Sequence, residues 1–146
     1  MIATEPFIYR CRNLDVSSTS PPSQFKAMVM KLADSFFIWI GDTEVVFSSL
    51  SLSVPRSFSN DSPVACSLFH GNSTVPSSRS APETTLTMRL SKRLACPVYL
   101  SLSISNSVLD SWDRVDRVSK TTISQELECH LLSEFRDLFD AHLDMQ

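Results

Sequence analysis

The residues that could do chemistry are scattered. His70, His130 and His142 stand apart from one another. Cys129 and His130 are neighbours, but adjacent residues on a helix point about 100° apart, which makes them a poor nucleophile and base. Glu126, Glu128 and Glu134 could pass for an acid/base set, yet their spacing reads more simply as a solvated helix face. Gly41 and Gly71 are the two glycines, so no phosphate-cradling glycine loop and no nucleophile elbow of recognised type can be written. The sequence therefore offers no catalytic residues, no cofactor-binding residues and no metal ligands, and the chain is read as a non-enzyme. Arg89, Lys92 and Arg93, with Ser91, make a small positive helix face. Either that face is merely solvated and ion-paired, or it docks an acidic partner protein. The four cysteines, Cys11, Cys66, Cys96 and Cys129, lie far apart without a CxxC, and are read as small buried hydrophobes of a reducing compartment.

Composition sets the broad class. A chain of 146 residues with 42% hydrophobic and 20% charged content is read as one domain, 1–146, with one core. The net charge of −3 leaves no general footprint for nucleic acid. MIATEPFIYRCRN lacks the features of a secretory signal and no stretch is apolar enough to span a bilayer, so no membrane association is expected and the location is cytoplasmic, with the nucleus as a second compartment.

The elements that must position any site centre on 28–41, MVMKLADSFFIWIG. Its β-branched and aromatic residues suit strands, and Asp34-Ser35 is turn chemistry. With a two-residue turn, Leu32 opposes Phe37 and Met30 opposes Trp39. One face then carries Met28, Met30, Leu32, Phe37 and Trp39, and the other Val29, Lys31, Ala33, Phe36, Ile38 and Ile40. Both are apolar, and both need cover.

Residues 7–16 read as a first strand, 45–54 as a third sheet element, continuous with or just after the second arm of the hairpin, with a greasy and a serine face, and 64–70 as a further strand. Serine- and proline-rich stretches at 17–24, 55–63 and 71–83 read as flexible loops. Pro82-Glu83 opens a helix with Leu86, Leu90 and Leu94 on one stripe, followed by a strand from Cys96 to Ile104. Residues 105–122 are polar and charged, with Val108, Leu109, Trp112, Val115 and Val118 to bury, and either hold a helical turn or stay loose. Ile123, Leu127, Leu131, Phe135, Leu138 and Leu143 predict a final helix over 123–143. The fold class is α+β: an antiparallel sheet of about five to six strands with two amphipathic helices on one face and the other face used for dimerisation. Val29, Lys31, Phe36, Ile38 and Ile40 are assigned to that partner interface, and Arg89, Lys92 and Arg93 to client contact. Curling of the sheet upon itself is the alternative.

VMKLADSFFIWIG at 29–41 resembles the signature hairpin of the eukaryotic proteasome assembly chaperone 4 family, with Lys31, Asp34, Ser35, Phe36, Phe37, Trp39 and Gly41 at matching spacing. LTMRLSKRLACPVYLSLSI at 86–104 is similar to that family's basic leucine-rich helix and the strand after it. The resemblance implies a non-enzymatic chaperone that pairs, sheet to sheet, with proteasome assembly chaperone 3. The pair would hold α subunits, notably the fifth, while the α ring of the 20S proteasome forms. The long serine/proline loops and an insertion at 105–122 depart from the family pattern. A homodimeric adaptor, or a small enzyme with an unrecognised site, are the other readings of the same residues.

Overall fold

The structure is a computed structural model that describes residues 8–16, 23–42, 49–55, 64–70 and 82–144. Six strands form one sheet in the order β1-β2-β3-β6-β4-β5. They are β1 (Ile8–Val16), β2 (Ser23–Lys31), β3 (Phe36–Gly41), β4 (Ser49–Val54), β5 (Val64–His70) and β6 (Val98–Ser103); the helices are α1 (Pro82–Leu94), α2 (Asn106–Leu109), α3 (Ile123–Glu134) and α4 (Arg136–Asp144). The α+β class stands, but the sheet is mixed, because β3 and β6 run parallel while every other pair is antiparallel. The sequence between them supplies the crossover that a parallel pair requires.

The hairpin register differs from a two-residue turn. Lys31 opposes Phe36, Met30 opposes Phe37 and Met28 opposes Trp39, so residues 32–35 form a four-residue connection closed by the Leu32 N–H donating to the Ser35 carbonyl at 2.8 Å. The slip is by two residues, which preserves the period-two sorting into faces. What reverses is which face is inside. Val29, Phe36, Ile38 and Ile40 are 0% exposed and form the floor of the core beneath the helices.

The core is completed by Leu86, Leu90 and Leu94 of α1, Ile123, Leu127 and Leu131 of α3, and Phe135, Leu138 and Phe139 at the end of the chain. β4 obeys the same orientation. Ser49, Ser51 and Ser53 turn inward, whereas Leu50 and Leu52 are partly exposed and Val54 is exposed. Small inward side chains let α1, which also buries Thr87 and Ser91, sit close to the strand it packs against. Ser49 bridges β4 to β6 in both senses, its hydroxyl donating to the Leu102 carbonyl at 3.0 Å and accepting from the Leu102 N–H at 3.1 Å. Ala95, at φ 54°, takes the left-handed position that ends α1, and the Ser91 hydroxyl donates to the Cys96 carbonyl at 2.9 Å.

The expected final helix is two helices. A capping box starts α3: the Gln125 N–H donates to the Thr122 hydroxyl at 3.2 Å and the Thr122 N–H to the Gln125 side chain at 3.0 Å. The helix breaks at Phe135, whose ψ is 23°, and α4 restarts at once. His142, which follows Leu131, Phe135 and Leu138 at helical spacing, is buried, and Leu143, expected inside, is 40% exposed. The stretch 105–122 is not loose. Trp112 is buried in the core, Val108 and Leu109 pack against it, and the Ser105 N–H donates to the Asp42 carboxylate.

Of the expected loops, 17–22, 56–63 and 71–81 lie outside the described residues, as do Phe7 and the start of the third sheet element at 45–48. Ser23 and Gln24 belong to β2, and Pro82 and Glu83 to α1.

Candidate functional site

Two surfaces stand out, on opposite sides of the sheet. The first is the face away from the helices. Cross-strand register places Tyr9 and Cys11 of β1 beside Met30 and Met28 of β2, and these beside Phe37 and Trp39 of β3. Tyr99 of β6 continues the row to Leu52 of β4 and Cys66 of β5. Tyr9 is 58% exposed, Val64 and Leu68 52% each, and Met28, Met30, Phe37, Trp39, Leu50, Leu52 and Tyr99 are all partly exposed. None of these residues belongs to the core cluster.

Gly41 explains one feature of the hairpin motif. A Cβ built there would lie 2.5 Å from two carbons of the Trp39 indole. The ring therefore lies down along its own strand, over the position where a side chain would stand. Trp39 and Gly41 at i and i+2 thus act together, flattening a broad aromatic surface onto the sheet.

The expected interface residues sit elsewhere. Val29, Phe36, Ile38 and Ile40 are buried by the chain's own helices, so their assignment to a partner-facing surface is corrected: the open face is made by the alternate residues of the same strands. Lys31 shares their side and lies at the rim near His142. The cysteines are corrected likewise, since among them Cys96 alone is buried and Cys11, Cys66 and Cys129 are exposed. Burial pushes the Cys96 thiol up to about 11, which leaves it almost wholly protonated and unreactive at neutral pH. Under native conditions iodoacetamide should label Cys11, Cys66 and Cys129 and spare Cys96 until denaturant is added, as mass spectrometry of the peptides would show.

The second surface is a groove between α1 and α3. Arg89, Lys92 and Arg93 line it with Lys120, Arg136 and Glu128. Glu128 is not part of a solvated face, because its carboxylate is buried and shared: Arg89 Nε donates to it at 2.8 Å and Arg93 Nε lies 3.1 Å away. The sequence placed the first three cations on one helix face. It could not join them to Lys120 and Arg136, which the tertiary fold brings to the same opening. Glu134 is exposed, and Glu126 lies 3.6 Å from His130 one helical turn on.

Of the histidines whose burial is described, His142 is the buried one. Its ring packs edge-on against Phe36 with centroids 5.1 Å apart, beside Phe139, which also meets Phe36 edge-on at 5.1 Å. Burial, followed by the charge of Lys31, holds its pKa below the usual histidine range, while Asp34 opposes the shift. A neutral imidazole in the fold and an ordinary one in the unfolded chain mean that stability is full above about pH 6.5 and declines as pH falls towards the folded-state pKa. Thermal melts should therefore lose more midpoint between about pH 7 and 5 than melts of His142→Phe, which lacks that titration. Among the described residues no three His, Cys, Asp or Glu side chains cluster as a metal site, and no helix is long and apolar enough to cross a membrane.

The family model described as proteasome assembly chaperone 4 matches residues 24–104, more than half of the chain and the span from β2 through β6. No match was found among curated proteins. Among solved structures, the chain is similar to one in "Crystal Structure of a Novel Chaperone Complex for Yeast 20S Proteasome Assembly", with a TM-score of 0.53 and 14% identity over 95% of this chain and 99% of that one. At that identity the likeness concerns the fold.

Proposed function

This chain belongs to the proteasome assembly chaperone 4 family, and from that premise we propose that it pairs through its open sheet face with a proteasome assembly chaperone 3 homologue. In this reading the pair acts without catalysis in the cytoplasm and nucleus, holding α subunits, the fifth in particular, while the 20S α ring forms. The observation that carries the reading is the apolar face itself. Six strands about 4.8 Å apart, each some six residues long at about 3.3 Å per residue, present roughly 600 Å² in projection. That approaches the roughly 800 Å² per partner of a standard interface and lies at the upper end of what a monomer ordinarily leaves uncovered as one apolar patch.

Chaperoning requires a stable pair and a releasable grip on the client. The large apolar face suits the first task. The polar helix side, with Arg89, Lys92 and Arg93, suits the second, since charged contacts give fast, salt-sensitive association with modest affinity. The test is to purify the tagged chain from its own cells in mild salt and identify what accompanies it. A related chaperone with immature α subunits, and no mature β subunits, is expected. Recovery of the chain alone, or only with itself, would overturn the heterodimer and favour a homodimeric adaptor.

A further inference from the structure

The groove between α1 and α3 concentrates charge of one sign in a chain of the other. Five cationic side chains, Arg89, Lys92, Arg93, Lys120 and Arg136, face one carboxylate, Glu128, in a protein whose net charge is −3. They come from three places in the chain: one face of α1, the turn before α3, and the first residue of α4. Glu128 is committed, its side chain 9% exposed and gripped by Arg89 and Arg93. Among the described residues no carboxylate lies within ion-pair distance of Lys92, Lys120 or Arg136. Arg93, with 64% of its side chain exposed, shares its acid with Arg89 and keeps its outer edge in solvent. Like charges gathered this way repel one another, and the repulsion is relieved when anionic groups enter.

The occupant's chemistry follows from the floor and the walls. Leu132 and Cys129 line the same groove, so a side chain of moderate apolarity can rest there between charged contacts. Glu128 stands among the cations, which disfavours a continuous polyphosphate track and suits discrete carboxylates spaced along a polypeptide. We propose that this groove binds an extended acidic segment of a partner protein, its carboxylates against Lys92, Arg93, Lys120 and Arg136 and an apolar side chain over Leu132. Arg89 and Glu128 serve as positioning residues that hold the Arg93 guanidinium at the groove wall. The groove lies on the helix side and the apolar face on the other, so both can be occupied at once. The inference deepens the client contact proposed above and rests on that reading only for the source of the segment.

The test uses the full chain, together with whatever partner co-purifies, and a fluorescein-labelled dodecapeptide of aspartate and glutamate with one central leucine, read by fluorescence anisotropy. Saturable binding is expected, weakening steeply as salt is raised. Lys92→Glu with Arg136→Glu should weaken it by roughly tenfold or more, with an unchanged circular-dichroism spectrum, because both side chains are exposed. Lys120→Glu alone provides an independent variant that should also weaken binding. Equal binding by wild type and both variants would overturn the proposal, as would displacement of the peptide by a single-stranded RNA of the same length at lower concentration. Failure of the chaperone reading is distinguishable. Wild-type chain that captures no α subunit but binds the peptide leaves the groove standing, whereas α-subunit capture without peptide binding overturns this inference alone.

Discussion

Phe36→Ala should unfold the chain at a much lower urea concentration, losing about 3–5 kcal/mol of stability. Phe36 is fully buried and meets both Phe139 and His142 edge-on with ring centroids 5.1 Å apart. Removing the ring empties the contact between β3 and α4. A domain of this size has about 5–15 kcal/mol in total, so the loss is a large share of it. Phe37→Ala, one residue along, should cost the isolated chain far less, because Phe37 lies on the open face and is partly exposed. Urea midpoints of the two variants, measured by tryptophan fluorescence, check the orientation of the sheet directly. Equal losses would mean that both faces are packed.

The second expected result concerns the open face. Phe37→Asp should abolish co-purification with the related chaperone while leaving the isolated chain's far-ultraviolet circular dichroism and melting midpoint close to wild type. Phe37 sits between Met30 and Tyr99 in the centre of that face. A carboxylate there remains hydrated in the free chain, but pairing would strip its water without offering a partner. That penalty is several kcal/mol, and each 1.4 kcal/mol is about a tenfold loss of affinity. Normal recovery of the partner with Phe37→Asp would show that pairing uses another surface. The contrast with Phe36→Asp is instructive: that change buries a charge in the chain's own core and should unfold it, so lost pairing there would say nothing about the interface.

Much of this architecture is legible in the sequence. The hairpin at 28–41, the strand at 64–70, the helix opening at Pro82-Glu83 and the start of the last helical region at Ile123 follow from short-range rules: β-branched runs, turn residues, helix entry signals and four-residue apolar spacing. The residues of 29–41 and 86–104 also carry the family resemblance. Such signals are local, and local chemistry suffices to set them.

Other features are not local. The sorting of 28–41 into two faces is correct, because strand periodicity survives a two-residue change of register. Which face is buried is not in that pattern, since Met28, Met30, Phe37 and Trp39 are as apolar as Val29, Phe36, Ile38 and Ile40. The serines of β4 point the same way: a small polar face reads as outward, yet here it faces inward and is covered by α1. The parallel pairing of β3 with β6, the packing of His142 against Phe36, and the meeting of Lys120 and Arg136 with the α1 cations depend on segments distant in the chain. Local residue chemistry thus sets most of the strands and helices, the membership of each sheet face and the family resemblance. Which apolar face the helices cover and which stays open is settled by what packs from elsewhere in the chain.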